Sequence, residues 1–503
     1  MMIINPVLKG FNPDPSAVKV GNTVYIAVST FQWVPGVRIY QTQDLVNYEY
    51  CTDVLIHSDF RGNPKDCSIW APQLSYVDDE FYLLYTEVIS TNRPFKDGHN
   101  YLIKSKDIKG PWSEPIYLNS SGFDPSMYHE KDKSYILNCI WDYRMTTPNK
   151  SAGIIMQEYS REKQKLIGEP IKIFNGTNAA KTEAPHLYKI NDYYYLITAE
   201  GGTGVDHQVT LCRSKALYGP YEVDPNTPLL TSKEDKTLPL QCAGHGSLIM
   251  FENRWYMYHL VTRPLLKDYA VLGRETAIQE LVMTKDFWLK LKSTDNKPLL
   301  KIESPYQTTS QFKHYFKDDF STNKLHHEWN MLAYYDSSIF NQSNQGLEIT
   351  SKESLQSLFD VSLIGKRLTT TNFYAETAIK FNPTHFNQMA GMGLYLNVEN
   401  FFYAYITYDE IIGKCVRYFK KEQNVFHLYE TKTPIEGEVV IKIITDNHMI
   451  NVYINHMKQD IEENITFLSG GFTGTYIFLS THDLNTFKGS KATFKYFVYD
   501  ELK

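Results

Sequence analysis

A chain of 503 residues is too long for one ordinary core, so two or more domains are expected. Its 42% hydrophobic and 21% charged residues exclude a disordered polymer, and a net charge of −6 gives no basic footprint for nucleic acid. Aromatic residues reach 14%, which suits a strand-rich fold and also the flat apolar faces that sugar-binding clefts use.

The first residues, MMIINPVLKGFNPDP, hold no basic segment followed by a short apolar stretch of the signal-peptide kind. No apolar run reaches the length of a membrane span, so no membrane partner is expected. The cysteines Cys51, Cys67, Cys139, Cys212, Cys242 and Cys415 are scattered and lack metal-type spacing. They read as buried thiols in a reducing compartment, and the cytoplasm is the expected location.

One phrase recurs through the first 300 residues: a polar or acidic residue, a small residue or Pro, an apolar run, a polar turn and an aromatic-rich strand. Its copies lie at 12–30, 70–88, 124–142, 183–201 and 244–262. With Asp14, Ala71, Asp124, Glu183 and His245 as markers, the steps are 57, 53, 59 and 62 residues. Each copy opens with a hairpin, and most continue with a second pair of strands, as around SKDIKGPWSEP and SKALYGPYEVD. Four strands per copy is the size of a propeller blade, so residues 1–300 are predicted to form a five-bladed β-propeller. The competing reading is an all-β sandwich with chance similarity.

After WLKLKSTDNKPLLKIESPYQTT the phrase stops, and 293–315 reads as a connection lying along the propeller. From about Phe316 the pattern becomes alternating strands such as GMGLYLNV, FFYAYITY and MINVYIN. This predicts a second domain over 315–503, an antiparallel β-sandwich. The fold class is therefore all-β throughout.

Repeats around an axis bring equivalent positions together at one mouth. Asp14, Asp124 and Glu183 are acidic markers, each followed closely by Pro. Carboxylates gathered there repel one another and drive their pKa values apart, which a purely structural role does not require. Glycoside cleavage does require it: a protonated acid for the leaving oxygen and an ionised base for water. Any one of these motifs alone is usually a turn; the phased recurrence carries the signal.

Together NPDPS, WAPQL, FDPSM, EAPHLYK and GRETAIQ resemble glycoside hydrolase family 43, in its β-xylosidase/α-L-arabinofuranosidase branch. The resemblance covers essentially the whole chain and implies that the second domain is a concanavalin-like sandwich. It implies Asp14 as general base, Asp124 as the aspartate that tunes the acid, and Glu183 as general acid. It places Arg274 on the sugar hydroxyls and beside the Glu183–Asp124 pair, against the plain alternative of a buried ion pair holding the fifth blade. Phe31, Trp70 and Trp141 match aromatic walls of the sugar pocket, although large aromatics after blade strands also serve as packing. His245 matches a histidine over the central channel. Phe472, in GGFTGTYIF, resembles a loop of the sandwich reaching back to close the pocket, against the alternative of a glycine-flanked strand.

Two departures stand out: a short polar stretch at 57–69, and Gln73 where His is common in relatives, both expected beside the pocket. No metal ligand is identified and no cofactor is required; a structural or channel cation such as calcium is compatible with the reading. The expected activity is inverting removal of xylose from the non-reducing end of β-1,4-xylo-oligosaccharides, with α-L-arabinofuranosidase activity at its side. The alternatives are an α-L-arabinofuranosidase or endo-arabinanase on the same fold, a carbohydrate-binding propeller without catalysis, and an interaction propeller. Relatives imply a homo-oligomer, a dimer or tetramer.

Overall fold

The computed structural model describes residues 2–293, 295–306, 314–322, 324–486 and 489–502. Its secondary structure is strand apart from two 3-10 turns, Ser337–Ile339 and Ile465–Phe467. Five antiparallel sheets, each of four meandering strands, follow one another in sequence. Their inner strands are Ser16–Val20, Ser68–Val77, Gly122–Glu130, Glu183–Ile190 and Gln241–Phe251. The fourth blade adds a short fifth strand, Leu230–Thr231, beside Gln208–Ser214. This is the five-bladed propeller that the recurring phrase predicts.

The blades are joined around the axis by a ring of side chain–backbone hydrogen bonds. Ser16 Oγ accepts from Leu74 N, and Gln73 Oε1 accepts from Met127 N. Ser126 Oγ donates to Pro185 O, Tyr188 Oη accepts from Leu248 N, and Ser247 Oγ accepts from Ala17 N. Each joint satisfies a backbone group that the inward face of a strand would otherwise leave unpaired. The N-terminal segment also closes the ring by hydrogen bonds beside the last blade. Met2–Ile4 pairs with Lys301–Glu303, and the Asn5 side chain both donates to Ile278 O and accepts from Ile278 N. Lys301–Glu303 thus lies along the propeller, while residues 294 and 307–313 of the expected connection lie outside the described residues.

The second domain stacks two nine-stranded sheets. Strands such as Val439–Asp446 and Met449–Ile454 alternate buried and half-buried residues, the period of two expected when one face meets a core. Leu347, Phe373, Met392, Ile441, Ile477 and Phe494 fill the space between the sheets. One of those sheets is completed by the propeller: Trp33–Val34, from the first blade, pairs with Met331–Leu332. The buried Trp33 ring stacks on Tyr476 at 3.8 Å. Gly365 permits this approach, since a Cβ there would lie 2.8 Å from the Trp33 ring.

Candidate active site

Every blade carries a one-residue bulge in its inner strand at the same mouth. Phe123 opposes Cys139 while Ser126 opposes Leu137, and the same offset recurs at Trp70/Gln73, Glu183/His186 and Gly244/Ser247. In the first blade Pro13 O accepts from Ser29 N while Ser16 opposes Ala27. The bulged residues are Asp14, Ala71, Asp124, Ala184 and His245, all with positive φ between 35° and 55°. Such backbone re-aims the side chain out of the ladder and into the mouth.

This register corrects the repeat count. The residue equivalent to Asp14 and Asp124 in the fourth blade is Ala184, and Glu183 stands one place earlier, level with Trp70 and Phe123. The Pro of EAP follows Ala184 as the Pro of DP follows each aspartate, so Pro was the better ruler. The acid therefore meets the aspartates from a neighbouring position in the bulge.

The mouth opens into a cavity of about 800 Å³ lined by Asp14, Asp124, Glu183, Arg274, His245, Phe31, Trp70, Trp141 and Phe472, all the residues for which the sequence suggests a catalytic or sugar-binding role. Asp14 is buried; its Oδ1 accepts from Arg274 Nη1 at 2.6 Å and its Oδ2 from Ser29 Oγ at 2.6 Å. His245 Nδ1 lies 3.7 Å from the same Oδ1, and burial lowers the His245 pKa. Asp124 Oδ2 accepts from the Ala184 amide at 3.1 Å, which ties it to the segment carrying Glu183. Burial, then the neighbouring carboxylates Glu183 and Asp14, hold Asp124 well above the usual carboxylate range. Burial likewise pushes Glu183 up to about 7, with Lys96 and Arg274 opposing and Asp14 reinforcing. Two carboxyls so placed retain a proton between them near neutrality.

Arg274 differs from its expected partnership. Its ion pair is with Asp14, its Nε donates to Phe472 O at 3.1 Å, and its buried Nη2 has no hydrogen-bond partner among the described residues. It acts on Glu183 through its charge.

The aromatic residues form a continuous wall. Phe472 contacts Phe31 (6.2 Å between centroids) and Trp70 (5.5 Å), and Trp70 continues through Phe123 to Trp141. Phe472 belongs to the sandwich, so the glycine-flanked segment does reach back into the propeller. Its N–H donates to Asp66 Oδ1 at 2.7 Å, and Gly471, at φ +72°, leaves room for that carboxylate. Asp66 comes from the polar stretch 57–69, which does border the site. Gln73 does not: it lines a second cavity of about 610 Å³ at the other side of the ring and forms the joint to the third blade.

Phe123 and Lys96 are site residues that the sequence reading missed. Phe123 was detectable, because it directly precedes a marker just as Trp70 does. Lys96 sits in the loop TNRPFKDG between the second and third strands of its blade, outside the recurring phrase. Its ammonium lies 3.7 Å from the Phe123 ring centroid, 4.3 Å from that of Trp141 and 4.6 Å from that of Trp70. Burial lowers its pKa, with Glu183 opposing. In the channel His245 and His186 have ring centroids 6.3 Å apart, and among the described residues no group of three His, Cys, Asp or Glu side chains could hold a metal ion.

The arrangement offers a proton donor, an ion-paired carboxylate and one guanidinium nitrogen, Arg274 Nη2, around one recess. Residues 3–289 match the model of glycosyl hydrolases family 43, and 317–500 match that of the β-xylosidase C-terminal concanavalin A-like domain. The chain is 38% identical to a β-xylosidase of Bacillus subtilis over the full length of both. It is 37% identical to xylosidase/arabinosidase 43B of Humicola insolens, covering 98% of this chain and 97% of that one. A crystal structure of xylan β-1,4-xylosidase from Bacillus halodurans superposes with a TM-score of 0.96 at 40% identity, over 99% of this chain and all of that one. With the carboxylate-lined mouth, the propeller and the sandwich all accounted for, this chain belongs to glycosyl hydrolase family 43 and is a glycoside hydrolase.

Proposed function

We propose that this enzyme removes xylose from the non-reducing end of β-1,4-xylo-oligosaccharides with inversion, and that it also accepts α-L-arabinofuranosides. The observation that carries the reading is the pairing of Asp14 and Glu183 in one recess with Phe472 closing its inner end. Glu183, protonated up to about pH 7, donates to the glycosidic oxygen as the C1–O bond breaks. Asp14 takes a proton from a water that attacks C1 from the opposite face, so the product is α-xylose and a shortened chain. Single displacement needs the two carboxyls roughly 6.5–9.5 Å apart to admit that water. Arg274 orients Asp14 and offers Nη2 to a sugar hydroxyl, while Asp124 holds the Glu183 segment and its proton.

A recess rather than a through-groove favours exo action over an endo-arabinanase. The similarity to both a β-xylosidase and a xylosidase/arabinosidase supports the paired specificity. Six unpaired cysteines suit a reducing compartment, and we place the enzyme in the cytoplasm. Hydrolysis of a nitrophenyl β-xyloside, which releases a single xylose, followed by NMR tests the assignment: α-xylose must appear first. Initial release of β-xylose overturns the inverting route, and turnover of arabinofuranosides alone overturns the xyloside assignment.

A further inference from the structure

The cavity is buried around Asp14, Arg274 and Phe31 and becomes exposed at Arg93, Thr147, Pro148, Lys181 and Gly204, so it opens among loops of the second, third and fourth blades, loop 142–150 included. The leaving part of a substrate must pass there. Beside this opening stand two aromatic side chains that the catalytic recess does not use. Phe95 is 56% exposed and Tyr143 is 55% exposed, with ring centroids 5.3 Å apart and planes at 42°. They come from different blades, and the loops bearing them are pinned together where Trp141 Nε1 donates to Pro94 O at 2.9 Å.

Loop 142–150 is held by its own contacts. Asp142 N donates to Lys150 O at 2.8 Å, Arg144 forks onto the Asp142 carboxylate, and Asn149 Oδ1 accepts from Ser151 N. Tyr143 is thus presented by an ordered loop. Large exposed aromatics in contact and next to a binding cavity mark a surface that something covers. Neither lines the cavity itself, but each lies one or two residues from a residue that does, Lys96 or Trp141, so the pair stands just outside the end of the aromatic wall.

We infer that Phe95 and Tyr143 form an additional leaving-group subsite, a stacking platform for a pyranose unit beyond the one that Trp141 faces. The inference rests on the proposed exo-xylosidase reading and deepens it: the preferred substrates are oligosaccharides of three or more units.

The test compares xylobiose, xylotriose and xylotetraose as substrates of the wild-type enzyme and the double variant Phe95→Ala/Tyr143→Ala. Expected is a loss of roughly three- to tenfold in kcat/KM on the longer two, the scale of one or two aromatic contacts, with xylobiose unchanged. Equal losses on all three substrates, or no loss on any, overturn the subsite. A change of oligomeric state in light scattering without chain-length dependence assigns the pair to a contact between copies instead. If the wild type cleaves no xylo-oligosaccharide, the proposed function fails separately. Calorimetric binding of xylotriose and xylobiose to both proteins then decides the subsite: the variant must lose affinity for the trimer only.

Discussion

Phe472, from the sandwich, donates its backbone N–H to the carboxylate of Asp66, from the propeller, at 2.7 Å. Together with Arg274 Nε on Phe472 O, this holds both backbone polar groups of the residue that closes the recess. Asp66→Ala removes the acceptor and should lower kcat/KM on a nitrophenyl xyloside by roughly tenfold, the scale of one charge-assisted hydrogen bond. Asp66→Asn retains an acceptor oxygen and should stay within about threefold of wild type. Similar losses in both variants would show that the charge of Asp66, rather than its grip on the loop, is what matters.

Glu183→Ala should be selective for the leaving group. Xylobiose needs a proton at its departing oxygen, whereas dinitrophenolate leaves unaided, so losses of about 10²–10⁴-fold are expected on xylobiose and far smaller ones on the aryl xyloside. Asp14→Ala should depress both alike, because both need the activated water. Rates on the two substrates with each variant check this; equal losses in Glu183→Ala would remove it from the acid role.

The basic limb of the pH profile follows loss of the proton from Glu183, at about 7. Lys96 opposes that high value, so Lys96→Met should move the limb to higher pH. The Asp124 pKa is raised by burial and by Glu183, with which it titrates as a pair, so Asp124→Asn, which leaves one carboxyl in place of two, should move the limb to lower pH. Profiles of kcat/KM from pH 5 to 9 distinguish the two; an unmoved limb in Asp124→Asn would leave Asp124 as a sugar contact only.

The same shift predicts a stability effect. A carboxyl whose folded pKa lies above its unfolded value favours folding fully below the unfolded value, and that contribution disappears as pH rises through the folded one. Wild-type stability should therefore decline between about pH 4.5 and 7 on account of Glu183. Glu183→Gln, which cannot ionise, should melt about 2–4 °C higher than wild type at pH 8, with a smaller difference at pH 5. Melting curves at the two pH values check it; a difference independent of pH would assign the gain to packing.

Trp33 makes the two domains one cooperative unit. It lies in a propeller strand that completes a sandwich sheet, with its ring stacked on Tyr476. Scanning calorimetry should show a single transition, and Trp33→Ala should cost about 3–5 kcal/mol. Two resolved transitions in the wild-type chain would contradict that coupling.

The propeller was legible because hairpin and turn recur in phase, and the sandwich because its strands alternate with period two. Asp14 and Asp124 sit in short motifs at the start of inner strands, so the repeat located them, whereas Arg274, just before Glu275–Met283, was located by the family resemblance of GRETAIQ. What escaped has a physical reason. Glu183 was found but aligned one place early, because the extra residue of a bulge leaves no mark in hydrophobic periodicity. Lys96 and Asp66 reach the site from loops outside the recurring phrase, and Asp66 acts on a residue some 400 positions away. Gln73 was misplaced because its strand spans the ring, and only the fold shows which end faces sugar.

The bulges also separate two kinds of information in this chain. The ladder pairs and the five interblade joints specify the propeller, whereas the residues in the bulges lie outside that pairing. Ala71 shows that such a place can carry no chemistry at all while its blade stays intact. Specificity can therefore be rewritten at the rim in single steps, with the scaffold insensitive to the choice.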